Sequence, residues 1–275
     1  MLTNQGKMKI SAETFSIRAL AVLVKQAALI MTLCLATSAP SSALAWDWNL
    51  GFGKSVSGSG TIRSEIRAVS GFTGISLSLD APVEIQQGET EGVTIETDNN
   101  LLPLVETVVE NGTLKIRPAT RNTSFSTKKM NIIVRVKTID RLAIAGAGEI
   151  RAVGLKTSAL KTSIAGSGDV RIDSLDVGAL TVKIAGSGDF AATGSAASME
   201  ARIAGSGNIK TENLDTKAVE VGIAGSGDAT VWARNALSVD VTGSGDIKYY
   251  GDAVVKKSIV GSGSVKRLGP APAGS

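Results

Sequence analysis

Acidic residues recur at one position of a repeated phrase: Glu149, Asp169, Asp189, Asp228 and Asp246, with Asn208 and Ser264 replacing them in two copies. Carboxylates stacked at a turn are suitable groups for calcium, as in solenoid repeats that present an Asp at every turn. The candidates for such a site are Asp169, Asp189, Asp228 and Asp246. Calcium asks for six to eight oxygens, however, and each phrase supplies a single acid. Carboxylates such as Asp169 and Asp189 beside a cation such as Arg171 also make up the equipment of carbohydrate cleavage. A hydroxyl row, Ser167, Ser187, Ser206, Ser226, Ser244 and Ser262, has no base to activate it, because the chain contains no histidine. The sole cysteine, Cys34, lies far from the repeat, which removes thiolate chemistry and the common zinc sets there. The competing assignment is structural: Asp accepts a backbone N–H at a turn, and Ser is a small residue in a tight one.

These residues are positioned by the phrase itself, which reads apolar, small, Gly, small, Gly, then a polar residue. It begins at Ile144, Ile164, Ile184, Ile203, Ile223, Val241 and Ile259, and its first glycines are spaced by 20, 20, 19, 20, 18 and 18 residues. A fixed period near 20 marks stacked structural units. Within one unit, Leu180, Val182 and Ile184 alternate with Thr181, Lys183 and Ala185, the period of a half-buried strand. Gly186-Ser187-Gly188 then turns the chain, and Asp189-Phe190-Ala191 opens a second short strand. One such unit cannot bury its apolar side, but stacked units can. The expected fold is all-β: a parallel β-solenoid, right-handed by the rule for parallel crossovers, with rungs of about 20 residues.

Aligning the units by register predicts two further columns. Arg151, Arg171, Ala191, Lys210, Thr230, Lys248 and Lys266 form a basic row beside the acidic one, so repulsion between like charges is offset without a metal. Trp232 and Tyr250 share one outward position in successive units and, with Tyr249, are candidate ligand-binding residues for sugar rings; covering the end of the stack is their alternative role.

The N-terminus reads as a leader. Lys7, Lys9, Arg18 and Lys25 precede an apolar run from Ala27 to Ala36, and Ala43-Leu44-Ala45 offers a signal cleavage site after Ala45. Lys25 breaks the apolar stretch well short of the ~20 residues a membrane helix needs, so no membrane span is expected once the leader is removed. The leader holds four of the 29 basic residues and one of the 25 acidic ones, leaving 25 against 24. The mature chain is thus close to neutral, and the concentrated positive charge of a nucleic-acid binder is missing. An exported chain without disulfides must be held by packing and hydrogen bonds.

Residues 46–142 alternate in the same way at Ile75, Leu77 and Leu79, at Val83 and Ile85, and at Ile132, Val134 and Val136. Asn111-Gly112 is a strong hairpin signal, and Gly58-Ser59-Gly60 followed by an inward Ile62 reads as a divergent copy of the phrase. The expected organisation is a signal peptide over 1–45, an N-terminal β region over 46–142 continuous with the solenoid, the repeats over 143–268 and a flexible tail over 269–275. Trp46, Trp48 and Phe52 pose the same choice between packing and binding as Trp232.

Three motifs in this region, Arg67-Ala68-Val69-Ser70-Gly71-Phe72-Thr73-Gly74-Ile75, Val83-Glu84-Ile85-Gln86-Gln87-Gly88 and Asp98-Asn99-Asn100-Leu101-Leu102, precede the repeated Gly-Ser-Gly-Asp. In that order they resemble the bacterial family of autotransporter adhesins with a head GIN domain, over roughly residues 58–267. The resemblance implies a β-solenoid exported to the cell envelope, in a family whose molecular activity is undefined. No run of ten-residue membrane strands accompanies the repeat, so a complete autotransporter is not expected. The expected function is a non-enzymatic periplasmic, surface or secreted scaffold, without cofactor, whose partner is a glycan or an envelope protein; self-association through open strand edges is a further expectation. The alternative is a carbohydrate-active β-helix enzyme using the surface carboxylates.

Overall fold

The structure is a computed structural model that describes residues 54–272. The leader and its Ala45 site, the aromatic residues Trp46, Trp48 and Phe52, and residues 273–275 of the tail lie outside the described residues.

Strands β1 (Lys54–Ser57), β2 (Ile62–Arg67), β3 (Gly74–Leu77), β4 (Pro82–Gln87) and β5 (Gly92–Asp98) open the fold. A 3-10 turn at Leu102–Leu104 leads to β6 (Val105–Glu110), β7 (Thr113–Pro118), β8 (Thr123–Ser126) and β9 (Asn131–Val136). The repeats then supply β10 (Arg141–Gly146), β11 (Glu149–Val153), β12 (Lys156–Gly166), β13 (Asp169–Gly186) and β14 (Asp189–Gly205). They end with β15 (Asn208–Gly225), β16 (Ala229–Gly243), β17 (Ile247–Tyr250), β18 (Val254–Gly261) and β19 (Val265–Gly269).

Every recorded pairing among β10 to β19 is parallel, and the register holds Ile144, Ile164, Ile184, Ile203, Ile223, Val241 and Ile259 in one column. The stacked parallel β-solenoid read from the repeat is the fold observed. Inward columns are buried and outward ones exposed, as the period-2 pattern requires. Volume is balanced inside a rung: in β14 the small Ala192 and Ala201 accompany the fully buried Phe190.

Both glycines of each phrase are required by the neighbouring rung. The first has φ between +115° and +133° throughout the seven copies, a region that penalises side chains. From Gly166 onward, a Cβ on the first glycine would overlap the carbonyl oxygen of the first glycine one rung below; at the second glycine it would meet that rung's second-glycine carbonyl and its Ile or Val side chain. In the same turns, Ser187, Ser206, Ser226, Ser244 and Ser262 donate their backbone N–H to the first-glycine carbonyl below, at 2.9 Å. Variation in the period is therefore absorbed elsewhere. Register shifts fall between Ile172 and Leu175, Ala191 and Thr193, and Thr211 and Thr216, all at the bend that follows the short strand.

The N-terminal part departs from chain order. β7 and β9 pair with β3 and β4, which in turn pair with β10 and β11, all in parallel. The first rung in sequence is thus the second in space. The chain reaches the terminal rung through antiparallel strands, with β5 pairing both β9 and β2, and β6 pairing β7. The β6–β7 hairpin turns at Asn111-Gly112, where φ is 50° and 70°, matching the left-handed turn expected of that dipeptide.

Gly58-Ser59-Gly60 is not a copy of the repeat. β2, which follows it, runs antiparallel to β5 and Ile62 is 38% exposed instead of inward. The segment is a loop held by side chains of the Asp98-Asn99-Asn100 motif. Buried Asp98 accepts from the Gly60 N–H at 2.6 Å and from the Thr127 hydroxyl, Ser59 Oγ donates to Asn99 Oδ1 at 2.6 Å, and Asn100 bonds both Ser59 N and Ser57 O at 2.9 Å. Three polar side chains here replace the backbone of an adjacent rung.

Gly205→Ala should destabilise the chain by more than the about 1–3 kcal/mol of a strained φ alone, because its Cβ also meets the Gly186 carbonyl. Urea unfolding measures that loss. Thr162 places a hydroxyl without a hydrogen-bond partner in a buried column otherwise occupied by Leu142, Val182, Ala201, Val221 and Val239. Thr162→Val should raise stability, by about 1 kcal/mol, in the same measurement.

Candidate functional site

The acidic column occupies the first residue after each Gly-x-Gly turn, where side chains face outward along the stack. All four calcium candidates spend an oxygen on the next rung. Asp169 accepts the backbone N–H of Asp189 at 2.9 Å, Asp189 that of Asn208 at 3.1 Å, Asp228 that of Asp246 at 2.8 Å and Asp246 that of Ser264 at 2.9 Å. The backbone donor is thus one rung away, whereas an ordinary Asp turn would bond within its own loop. Among the described residues no group of three or more His, Cys, Asp or Glu converges as a metal site would require.

The basic row lies beside this column in the predicted register, with Arg151 opposite Arg171 and Lys248 opposite Lys266. Lys210 reaches back to Asp189 at 2.6 Å, Arg151 pairs with Glu149 at 2.5 Å and Arg171 with Asp173 at 3.5 Å. Around Asp189 two effects oppose each other. Burial pushes its carboxyl up, but hydrogen bonds from Lys210 and Asn208, together with the Lys210 charge, hold it below the ordinary aspartate range.

Trp232 and Tyr250 are register partners in adjacent rungs, and both are half-buried. Gly269 pairs with Tyr250 and runs beside its ring, so the end of β19 covers part of this pair. Tyr249 is on the other side of the strand. Alternation carries it inward over Val231, where it packs against the core, so the outward pair consists of Trp232 and Tyr250.

Two surface grooves escape a motif search. One, of about 500 Å³, runs over Ala165, Ala185, Ala204 and Ala224 and is edged by Lys183 and Arg202. Its sequence signal is the small residue after each Ile of the phrase, which leaves a flat strip on an otherwise long-chained face. The other, of about 740 Å³, lies over β4, β11 and β13 and is lined by Glu84, Arg151, Arg171 and Asp173. It depends on β4 sitting directly below β11, which the order of the chain conceals. The motif residue Gln87 works nearby as a clamp: it donates to the carbonyls of Lys137 and Lys156, both at 3.0 Å, and accepts from Lys156 N at 2.8 Å.

Asp246→Ala leaves the Ser264 N–H and hydroxyl without their acceptor and should cost about 1–3 kcal/mol, while Asp246→Asn, which keeps an acceptor oxygen, should cost less. Urea titration of both variants checks the order. Since folding lowers the Asp189 pKa, its contribution is present above the unfolded aspartate pKa and lost as pH falls through the folded value. The stability difference between the parent and Asp189→Ala should therefore shrink on acidification below the ordinary aspartate range.

Comparison with known proteins places this geometry. A crystal structure described as a putative adhesin from Bacteroides fragilis NCTC 9343 shares 27% identity and a TM-score of 0.72, covering 78% of this chain and 100% of its own. One from Parabacteroides distasonis ATCC 8503, described as a putative lipid binding protein, has 27% identity, a TM-score of 0.65 and the same coverage. A putative adhesin from Parabacteroides merdae ATCC 43184, at 20% identity over 78% of this chain and 100% of its own, has a TM-score of 0.59 and shares the fold. None of the curated proteins matches the chain. The sequence profile of one family covers residues 71–253, taking in the spatially reordered rungs and most of the repeats, and by that match the chain belongs to the family described as putative auto-transporter adhesin, head GIN domain.

Proposed function

We propose that the protein is a non-catalytic β-solenoid of the cell envelope or cell surface that holds a glycan or a partner protein against its outer faces. The observation that carries this reading is the use of the repeat's carboxylates. Asp169, Asp189, Asp228 and Asp246 each direct an oxygen at the next rung's backbone, and the basic neighbours Lys210, Arg151 and Arg171 are engaged in ion pairs. An enzyme built on Asp169 and Asp189 would need to free groups that the stack uses to hold itself together. The similar structure at 27% identity that is described as a putative adhesin supports the same reading. Export follows from the leader read over residues 1–45, with cleavage after Ala45.

The binding surface is proposed to include Trp232 and Tyr250, register partners whose rings supply rigid apolar area, and the alanine strip edged by Lys183 and Arg202. Tyr249, on the opposite side of that strand, packs against the core.

A screen of the purified chain from Trp46 onward against polysaccharides, with reducing-end assays beside binding assays, tests this. Binding without chain shortening is expected, weakened at least tenfold by Trp232→Ala with Tyr250→Ala. Chain shortening that disappears in Asp169→Asn or Asp189→Asn overturns it in favour of the enzyme. One similar protein is described as lipid binding, so phospholipid vesicles are included; binding to vesicles alone also overturns it.

A further inference from the structure

The two ends of the stack are finished differently. At the N-terminal end the outer edges of the terminal rung are covered: β6 lies on β7, β5 lies on β9 and is itself followed by β2, and the Arg67 guanidinium donates to the carbonyls of Val105 and Leu102 at the start of β6. At the other end, the recorded partners of β18 and β19 are β16 and β17 only, so the outer edge of the last rung carries no strand among the described residues. Val255, Ile259 and Val265 are only half-buried there, although Leu237, Val241 and Ile247 one rung below are buried. Val254 and Val260 are 80% and 65% exposed.

Two core columns stop being apolar in this rung. Lys257 stands over Val239 and Arg267 over Tyr249, each at an inward position. Arg267 folds back onto the Gly251 carbonyl and Asp252. Among the described residues Lys257 makes no ion pair, and residues 253–275 of the sequence contain no Asp or Glu. An inward cation on an edge strand repels a neutral strand, since stacking would bury its charge unpaired. A second copy of this chain meets the same obstacle. Its own terminal rung carries another Lys257, and its β6 edge turns Val105, Thr107 and Val109 inward, without a carboxylate. Its β2 edge does offer Glu65 on the inward side, but that carboxylate is paired with Arg67 and lies between Arg63 and Arg67, which would set two more cations over Val255 and Ile259.

We infer that the open edge of β18 is a docking site for an extended acidic segment of another protein, which adds as one more strand and places a carboxylate over Lys257. The register specifies its pattern. Apolar residues lie over Val255 and Ile259, with Asp or Glu at the position between them that faces the same way, hence apolar-x-acid-x-apolar. Backbone pairing holds the strand, the half-covered Val255 and Ile259 gain a lid, and Lys257 discriminates by rejecting strands without the acid. The site concerns the end of the stack and is independent of what its faces bind.

The probes are two twelve-residue synthetic peptides of alternating Val and Thr that differ only in a central Asp or Lys, measured by fluorescence anisotropy on the purified chain, on Lys257→Glu and on Lys266→Glu. The Asp peptide should bind the parent at least tenfold more tightly than the Lys peptide. Lys257→Glu should reverse the preference, and Lys266→Glu, whose side chain points outward, should preserve it. Circular dichroism of each variant establishes that the fold is retained. Failure of the Asp peptide to bind, equal binding of both peptides, or an unchanged preference in Lys257→Glu overturns the inference. Binding of phosphatidylglycerol vesicles while neither peptide binds overturns it too, assigning these cations to a lipid surface.

Discussion

Backbone lies on backbone along the Gly-x-Gly turns, with no room for a Cβ between successive rungs. Much of the structure follows from that contact. It fixes the height at which each rung meets the next, so the strands on either side pair in register and the inward columns fall above one another. It also leaves the turn's donors and acceptors to be satisfied by neighbouring rungs, as the Ser backbone N–H groups are by glycine carbonyls. The acidic column completes this accounting where the chain leaves the turn: an Asp oxygen takes the N–H that the geometry presents one rung above. Changes in rung length are displaced to the opposite bend, where the register shifts.

The motifs that carry the family resemblance serve the same stacking. Asp98, Asn99 and Asn100 hold a loop at the terminal rung, and Gln87 bridges two bends. These polar residues occur where the regular repeat is absent and backbone groups would otherwise lack partners. In this chain they serve to build the first rungs of the stack.

A scaffold built this way leaves few places for specific recognition. Repeat positions are constrained by rung contacts, so individuality is found in the outward columns and at the ends. The alanine strip, the Trp232–Tyr250 pair and the cation-finished edge of β18 are such places. Each differs from the repeat in a distinct physical way: a loss of side-chain bulk, a gain of aromatic area, and a charge placed in a core column.

The repeat period, the two-residue alternation and the Gly-x-Gly phrase already determined that residues 143–268 form stacked parallel strands, which residues face inward, and that acidic and basic rows run side by side. These features are local or strictly periodic, so they are legible without coordinates. The hairpin at Asn111-Gly112 belongs with them, since its geometry is set by two residues. The Gly58-Ser59-Gly60 loop shows the limit. Its composition matches the phrase, but there is no adjacent rung for it to stack on, and partners about forty residues away decide its shape. Only the tertiary structure placed β7 and β9 beneath β3 and β4, brought Glu84 beside Arg151, turned Tyr249 inward and left Lys257 over an apolar column at an open edge. The reason is common to all of these: a strand's neighbour is chosen by long-range pairing, and alternation alone says which face a residue takes but not what lies across from it.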